Sequence, residues 1–171
     1  TRRSSPQLCA LAIEGCISIG GEVIDCGLLT TPQLHHIVRM TNRGLSSVAW
    51  ASELGYYDLL TGALRMLLGL SFRNSFTGRD MRKKLVIDGA FGVGASKAAH
   101  VAHLVQDSLE IEVRNHAGAG RLNEDCGAEY VQKGRIPPCG FDPVRDGGVR
   151  CCSVDGDADR VVFHYFGAGS W

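Results

Sequence analysis

Three aspartates, Asp155, Asp157 and Asp159, alternate along one short segment that lies between two apolar runs. Carboxylate oxygens are the ligands that hard cations such as Mg²⁺ and Ca²⁺ prefer, and three such anions packed together without a cation repel one another. Arg160 follows directly, and a guanidinium group suits a phosphate that approaches the same cation. The pattern therefore predicts a divalent metal site with a phosphate-binding neighbour.

Two rival interpretations of this segment can be weighed against the metal site. A calcium loop of the EF-hand type needs a glycine at its sixth position and a glutamate at its twelfth, where this chain has Arg160 and Phe166. That interpretation is excluded. An exposed acidic hairpin turn without a metal stays open, although turn chemistry explains one Asp-Gly pair better than three aspartates in series.

A glycine-rich turn follows the apolar run 85–88. Gly89, Gly92 and Gly94 do not fit the G-x-G-x-x-G fingerprint, because Lys97 stands where the third glycine belongs, and the Gly-Lys-Ser order of a P-loop is absent. We interpret the segment as a tight turn between a strand and a helix, with backbone N–H groups that could lie near an anion.

Cysteine and histidine predict no second metal site. The seven cysteines contain no C-x-x-C pair, and the adjacent Cys151 and Cys152 point to opposite faces of a strand, so we expect buried free thiols. His35 and His36 face about a hundred degrees apart on a helix. A hydrolase triad has no support, since no G-x-S-x-G elbow occurs.

The composition is that of a globular protein with one domain or two small ones. The 171 residues are 44% hydrophobic, and 18 basic residues balance 18 acidic ones, so nothing favours nucleic acid or an anionic membrane as a partner. No apolar window approaches the length of a membrane span, and we expect a cytoplasmic protein. The absence of an initial methionine, and the end at Trp171 just after an apolar run, suggest a piece of a longer chain.

The order of predicted elements defines an α/β fold. A helix follows Ser4-Ser5-Pro6, a short strand spans 22–26, and a second helix follows the Thr31-Pro32 cap. A weak linker near Gly44 precedes a helical stripe that ends near Gly69. The segment 85–113 reads as a βαβ unit, and strands at 149–155 and 160–166 flank the acidic turn. We predict a mixed, mostly parallel sheet with flanking helices.

Several segments, in the same order along the chain, resemble the α-D-phosphohexomutases, and within them the phosphoacetylglucosamine mutase branch. Thr1 to Ser5 is similar to the D-T-R-x-S-S segment of that family. The other segments are D-C-G-L-L-T-T-P-Q-L at 25–34, V-I-D-G-A-F-G-V-G-A at 86–95, G-R-L-N-E-D-C-G-A at 120–128 and C-C-S-V-D-G-D-A-D-R at 151–160. The resemblance covers nearly the whole chain.

The resemblance implies a part of a four-domain enzyme that moves phosphate between the 6- and 1-positions of N-acetylglucosamine, on the route to UDP-N-acetylglucosamine. Residues 1–44 correspond to the end of its first domain and 45–171 to its second domain, with sheets of the phosphohexomutase type. Asp155, Asp157 and Asp159 are then the Mg²⁺ ligands. Arg160 is then a catalytic residue that faces the reacting phosphate or the sugar hydroxyls.

The departures from the family pattern limit that expectation. The phosphoserine loop of the family, Thr-Ala-Ser-His-Asn-Pro, has no counterpart here, nor have its E-x-N-G-H and R-x-S-G-T-E-P loops. We therefore expect the chain alone to be inactive, with the remaining domains as partners and with apolar surface exposed in their absence. A non-catalytic Mg²⁺ or phosphosugar-binding module, such as a degenerate paralogue, remains an alternative, as does an enzyme of this fold that acts on glucose or mannose phosphates.

Overall fold

The computed structural model describes residues 2–47, 49–73 and 84–167. In chain order the described residues form helices α1 Ser5–Ser18, α2 Thr31–Asn42 and α3 Glu53–Arg73, strand β1 Leu85–Asp88, helix α4 Val93–Leu104, strand β2 Ile111–Arg114, helices α5 Ala128–Gly134 and α6 Pro143–Asp146, and strands β3 Arg150–Val154 and β4 Val161–His164.

One sheet with the strand order β2-β1-β3-β4 organises the described residues from β1 onward. β1 pairs in parallel with both β2 and β3, and β4 pairs antiparallel with β3. Val86 and Cys151, on neighbouring strands, are fully buried and pack with Phe141 and Phe166 in one apolar cluster. The predicted mixed, mostly parallel α/β sheet with flanking helices is confirmed.

The strand predicted at 22–26 is wrong. This segment has no regular structure, and the exposed fractions of Val23 and Ile24 are 40% and 85%. Alternating apolar residues favour a strand, but a strand forms only where a neighbour pairs with its backbone. None of the strands in the described ranges lies beside it.

Two helix boundaries differ from the predicted ones. The N-cap of α2 is Thr30 rather than Thr31, and its side chain accepts a hydrogen bond from the backbone N–H of Gln33. α3 passes through Gly69 and continues to Arg73. A glycine inside a helix costs about 1 kcal/mol, which weakens a helix without ending it.

α1 presents an uncovered apolar face. It has the predicted helical spacing, yet none of its residues is buried, and Leu8 and Leu11 are 61% and 56% exposed. This is the exposed apolar surface that the sequence predicts for this part of the chain. In the three described ranges, no helix combines the length and the apolar character of a membrane span.

Candidate metal centre

The acidic loop joins β3 to β4 at the carboxyl end of β3. Because β3 is parallel to β1, this loop lies at the same edge of the sheet as the glycine-rich turn that follows β1. The two segments touch, since the backbone N–H of Val93 donates to the carbonyl of Gly156 at 3.0 Å. A Cβ at Gly92 would lie 2.3 Å from that same carbonyl oxygen, so only glycine allows this approach.

The three aspartates of this loop converge. One carboxylate oxygen from each of Asp155, Asp157 and Asp159 lies within 4.8 Å of the others. Asp155 is buried, whereas the other two are exposed. The loop closes on itself through Ala158, which has a left-handed φ of 58° and donates its backbone N–H to the carbonyl of Asp155 at 3.0 Å.

The electrostatics of the loop favour a cation. A hydrogen bond and the negative charge of Asp155 raise the pKa of Asp159, so proximity of the two carboxylates disfavours their joint ionisation. Burial also opposes ionisation of Asp155, but hydrogen bonds, foremost from Arg160, outweigh it and lower the pKa of that carboxyl. Three oxygen donors of this kind fit Mg²⁺, which binds through carboxylates and neutralises their repulsion.

Arg160 lies against the carboxylates. Its Nε donates to Asp155 Oδ2 at 2.9 Å, and its backbone N–H donates to Asp155 Oδ1 at 3.2 Å. Its Nη2 lies 3.6 Å from Glu129 Oε2, and its side chain is 49% exposed. The guanidinium therefore braces the buried metal-ligand candidate and also lies near the Glu129 carboxylate.

Two residues at this edge make contacts that their sequence patterns do not predict. Thr31, at the start of α2, donates its hydroxyl to Asp157 Oδ2 at 2.6 Å. Asp88, at the end of β1, is fully buried and accepts hydrogen bonds from Ala90 N–H, Asn115 Nδ2 and Gly127 N–H. Local signals existed for both, a helix cap and a strand-ending aspartate, but their partners Asp157, Asn115 and Gly127 are far away in the sequence.

The glycine-rich turn uses its amide groups inside the protein. The described backbone N–H groups with protein acceptors include those of Ala90, Phe91, Gly92, Val93 and Ala95. These five N–H groups are therefore not available to an anion, while the tight turn between a strand and a helix is as predicted. The first turn of α4 instead supports the acidic loop.

The cysteines agree only in part with the prediction of buried free thiols. All seven are free, but only Cys126, Cys151 and Cys152 are buried, and the other four are exposed or half-buried. Burial raises the pKa of Cys151 to about 11 and that of Cys152 to about 12, so both thiols stay protonated near neutral pH.

The fold and the acidic loop together define an α-D-phosphohexomutase domain. A solved structure described as apo N-acetylglucosamine-phosphate mutase, a member of the alpha-D-phosphohexomutase superfamily, aligns with 99% of this chain with a TM-score of 0.84 and 30% identity. Residues 46–162 match the family described as phosphoacetylglucosamine mutase AMG1, domain II. The chain belongs to the phosphoacetylglucosamine mutase family. Residues 1–52 match domain I of phosphoglucomutase/phosphomannomutase.

Individual relatives agree with that assignment. Phosphoacetylglucosamine mutase from Oryza sativa subsp. japonica is 41% identical over 165 residues, and the Homo sapiens protein of the same name is 39% identical over 168 residues. A structure of Aspergillus fumigatus N-acetylphosphoglucosamine mutase in complex with GlcNAc-6P and magnesium aligns with 99% of this chain and 33% of its own, with a TM-score of 0.76 and 28% identity.

The chain is much shorter than these relatives. The alignments cover 95% and 98% of this chain but only 28% of the rice protein and 30% of the human protein.

Proposed function

We propose that this chain is the Mg²⁺-binding part of a phosphoacetylglucosamine mutase, which interconverts N-acetylglucosamine 6-phosphate and N-acetylglucosamine 1-phosphate. The observation that carries the proposal is the convergence of three carboxylate oxygens within 4.8 Å. Membership of the family supports it, as does the magnesium in the Aspergillus fumigatus complex.

In this proposal Asp155, Asp157 and Asp159 hold the ion. When bound, Mg²⁺ supplies positive charge to the phosphoryl oxygens, and phosphoryl transfer depends chiefly on such charge and on positioning. Arg160 holds Asp155 in place through two hydrogen bonds, and its half-exposed guanidinium group would face a phosphate or a sugar hydroxyl.

In this family the phosphoryl group passes to and from the sugar through a phosphoserine relay, and we propose that this serine lies outside these 171 residues. No segment of the chain has the Thr-Ala-Ser-His-Asn-Pro sequence of the family's phosphoserine loop. We therefore propose that the chain alone is inactive and that further domains of a longer polypeptide act with it, to supply UDP-N-acetylglucosamine synthesis. An isotope-exchange assay that detects turnover by the chain alone contradicts this part of the proposal.

The domain division belongs to the same proposal. Residues 1–44 form the end of a first domain and 45–171 form a second domain that carries the metal loop. The end of α2 at Asn42 and the family matches to 1–52 and 46–162 support a division near Gly44. A cytoplasmic location is proposed as well, since seven free thiols suit a reducing compartment.

Isothermal titration of the chain with Mg²⁺ tests the metal site. Asp157→Asn removes one ligand charge, so we expect Mg²⁺ binding to weaken by more than about tenfold. Asp107→Asn is the matched control, because it neutralises an exposed aspartate elsewhere, and it should leave binding unchanged. Ionic strength is held constant with NaCl, which separates a bound ion from general screening.

Two results contradict the metal site. Absence of measurable Mg²⁺ binding by the wild-type chain is one, and equal binding by the wild type and Asp157→Asn is the other. Either result favours the acidic hairpin turn.

A further inference from the structure

Thr31 contacts the acidic loop through two hydrogen bonds to the same residue. Its hydroxyl donates to Asp157 Oδ2 at 2.6 Å, and its backbone N–H donates to the carbonyl of Asp157 at 3.0 Å. The two residues are 126 positions apart in the sequence. Both the side chain and the backbone of Asp157 are therefore held by the first residue of α2.

The position of Thr31 is fixed by hydrogen bonds at the start of α2. It lies between Thr30 and Gln33, which form a capping box at the start of α2. The Gln33 side chain is fully buried and donates through Nε2 to Glu53 Oε1 at 3.4 Å, and Lys97 Nζ donates to the same oxygen at 2.8 Å. This network ties the start of α2 to α3 and α4, so the Thr31 hydroxyl has a fixed position.

The acidic loop is thus held from two sides. On one side Val93, at the start of α4, donates its N–H to the carbonyl of Gly156, and on the other side Thr31 holds Asp157. Of the three aspartates, Asp155 is braced by Arg160 and Asp157 by Thr31. Arg160 donates to both carboxylate oxygens of Asp155, whereas Thr31 donates to Oδ2 of Asp157.

We infer that Thr31 is a positioning residue of the metal centre, which orients Asp157 and thereby couples the position of α2 to the affinity for Mg²⁺. The inference rests on the proposed function, in which the three aspartates hold the ion. Groups that hydrogen-bond to a metal ligand fix its orientation, and their loss typically lowers metal affinity by about 10–100-fold. The coupling is reciprocal, so Mg²⁺ in turn strengthens the contact between α2 and the loop.

Threonine-to-valine exchange isolates the hydroxyl group, because valine keeps the shape and the backbone N–H. We expect Thr31→Val to weaken Mg²⁺ binding about tenfold in calorimetry. Thr31→Ser keeps the hydroxyl and should restore binding close to the wild-type value. Thr41→Val is the matched control, since Thr41 lies on the same helix and its hydroxyl donates only to Ile37 O, at 2.9 Å, among the described contacts.

Hydrogen exchange on the wild-type chain tests the coupling without a substitution at Thr31. Added Mg²⁺ should slow exchange in the peptide that covers 28–36, and this protection should be lost in Asp157→Asn. The unfolding curve of Thr31→Val in EDTA shows whether this variant folds. If it does not, hydrogen exchange on the wild type is the measurement that tests the coupling between α2 and Mg²⁺ binding.

The outcomes separate the inference from the proposed function. If the wild type binds Mg²⁺ and Asp157→Asn does not, but Thr31→Val binds like the wild type, Thr31 has no positioning role and only the inference fails. Exchange at 28–36 that Mg²⁺ leaves unchanged also overturns it. If the wild type does not bind Mg²⁺ at all, the proposed function fails, and the inference that rests on it fails with it.

Discussion

The carboxylate of Asp88 accepts the backbone N–H of Gly127 at 2.7 Å, although 39 positions separate the two residues. The same carboxylate accepts Ala90 N–H at 3.0 Å and Asn115 Nδ2 at 2.8 Å. One fully buried side chain thus joins three loops at the edge of the sheet that carries the acidic loop.

We expect Asp88→Asn to lower the free energy of unfolding by about 3 kcal/mol, because an amide has one acceptor oxygen and its NH₂ group faces backbone donors that then lack partners. Urea denaturation measures the loss. Asp107→Asn makes the same change at an exposed position, so its free energy of unfolding should stay near the wild-type value. Equal stability of the two variants contradicts the role of Asp88.

A pair of glycine substitutions tests the close contact between α4 and the acidic loop. Gly92→Ala places a Cβ 2.3 Å from the Gly156 carbonyl oxygen, so a backbone segment must shift, and we expect a loss of about 1–3 kcal/mol and weaker Mg²⁺ binding. Gly62→Ala, in the middle of α3, meets no atom within 4 Å and should raise stability by about 0.5–1 kcal/mol. Chemical denaturation compares the two. A Gly92→Ala variant as stable as the wild type shows that the contact is not tight.

His164 makes stability depend on pH. It is buried, and its Nε2 lies 3.0 Å from Ser153 Oγ. Burial lowers the pKa of His164 from 6.5 to about 4, against the opposing charges of Asp88 and Asp146. The unfolded chain therefore binds the extra proton between pH 6.5 and 4, so stability should fall by up to about 3 kcal/mol as the pH drops through this window.

Urea denaturation at a series of pH values checks this dependence. A His164→Asn variant lacks the titrating group, so its stability should change less between pH 6.5 and 4, whereas both proteins lose stability below pH 4 as carboxylates protonate. Parallel curves for the wild type and the variant across the window contradict the assignment to His164.

Local patterns predicted those parts of the fold that local chemistry determines. The apolar run 85–88 and the helical spacing after Gly94 identified β1 and α4. The parallel pairing of β1 with β2 followed from the rule for βαβ units. The spacing of Asp155, Asp157 and Asp159 likewise predicted a cluster, and their oxygens do converge. Whether the cluster holds a metal stays a prediction.

The errors and omissions concern contacts between distant segments. The segment 22–26 has the alternation of a strand, but strand formation needs a partner that no local pattern supplies. Thr31 has the sequence of a helix cap, yet the cap is Thr30, and Thr31 instead binds Asp157. Asp88 is the end of a strand, as its sequence pattern predicts, but that pattern does not reveal the hydrogen bond that it accepts from Gly127.

The strand order also determines when the acidic loop becomes complete during folding. β1 and β2 are joined by a crossover that contains α4, whereas β3 pairs with β1 only after a much longer stretch of chain has been closed into a loop. Such non-local parallel pairings are the slow steps of folding. Because the contact between Val93 and Gly156 joins the turn after β1 to the turn after β3, we expect the acidic loop to reach its place beside α4 only with this pairing.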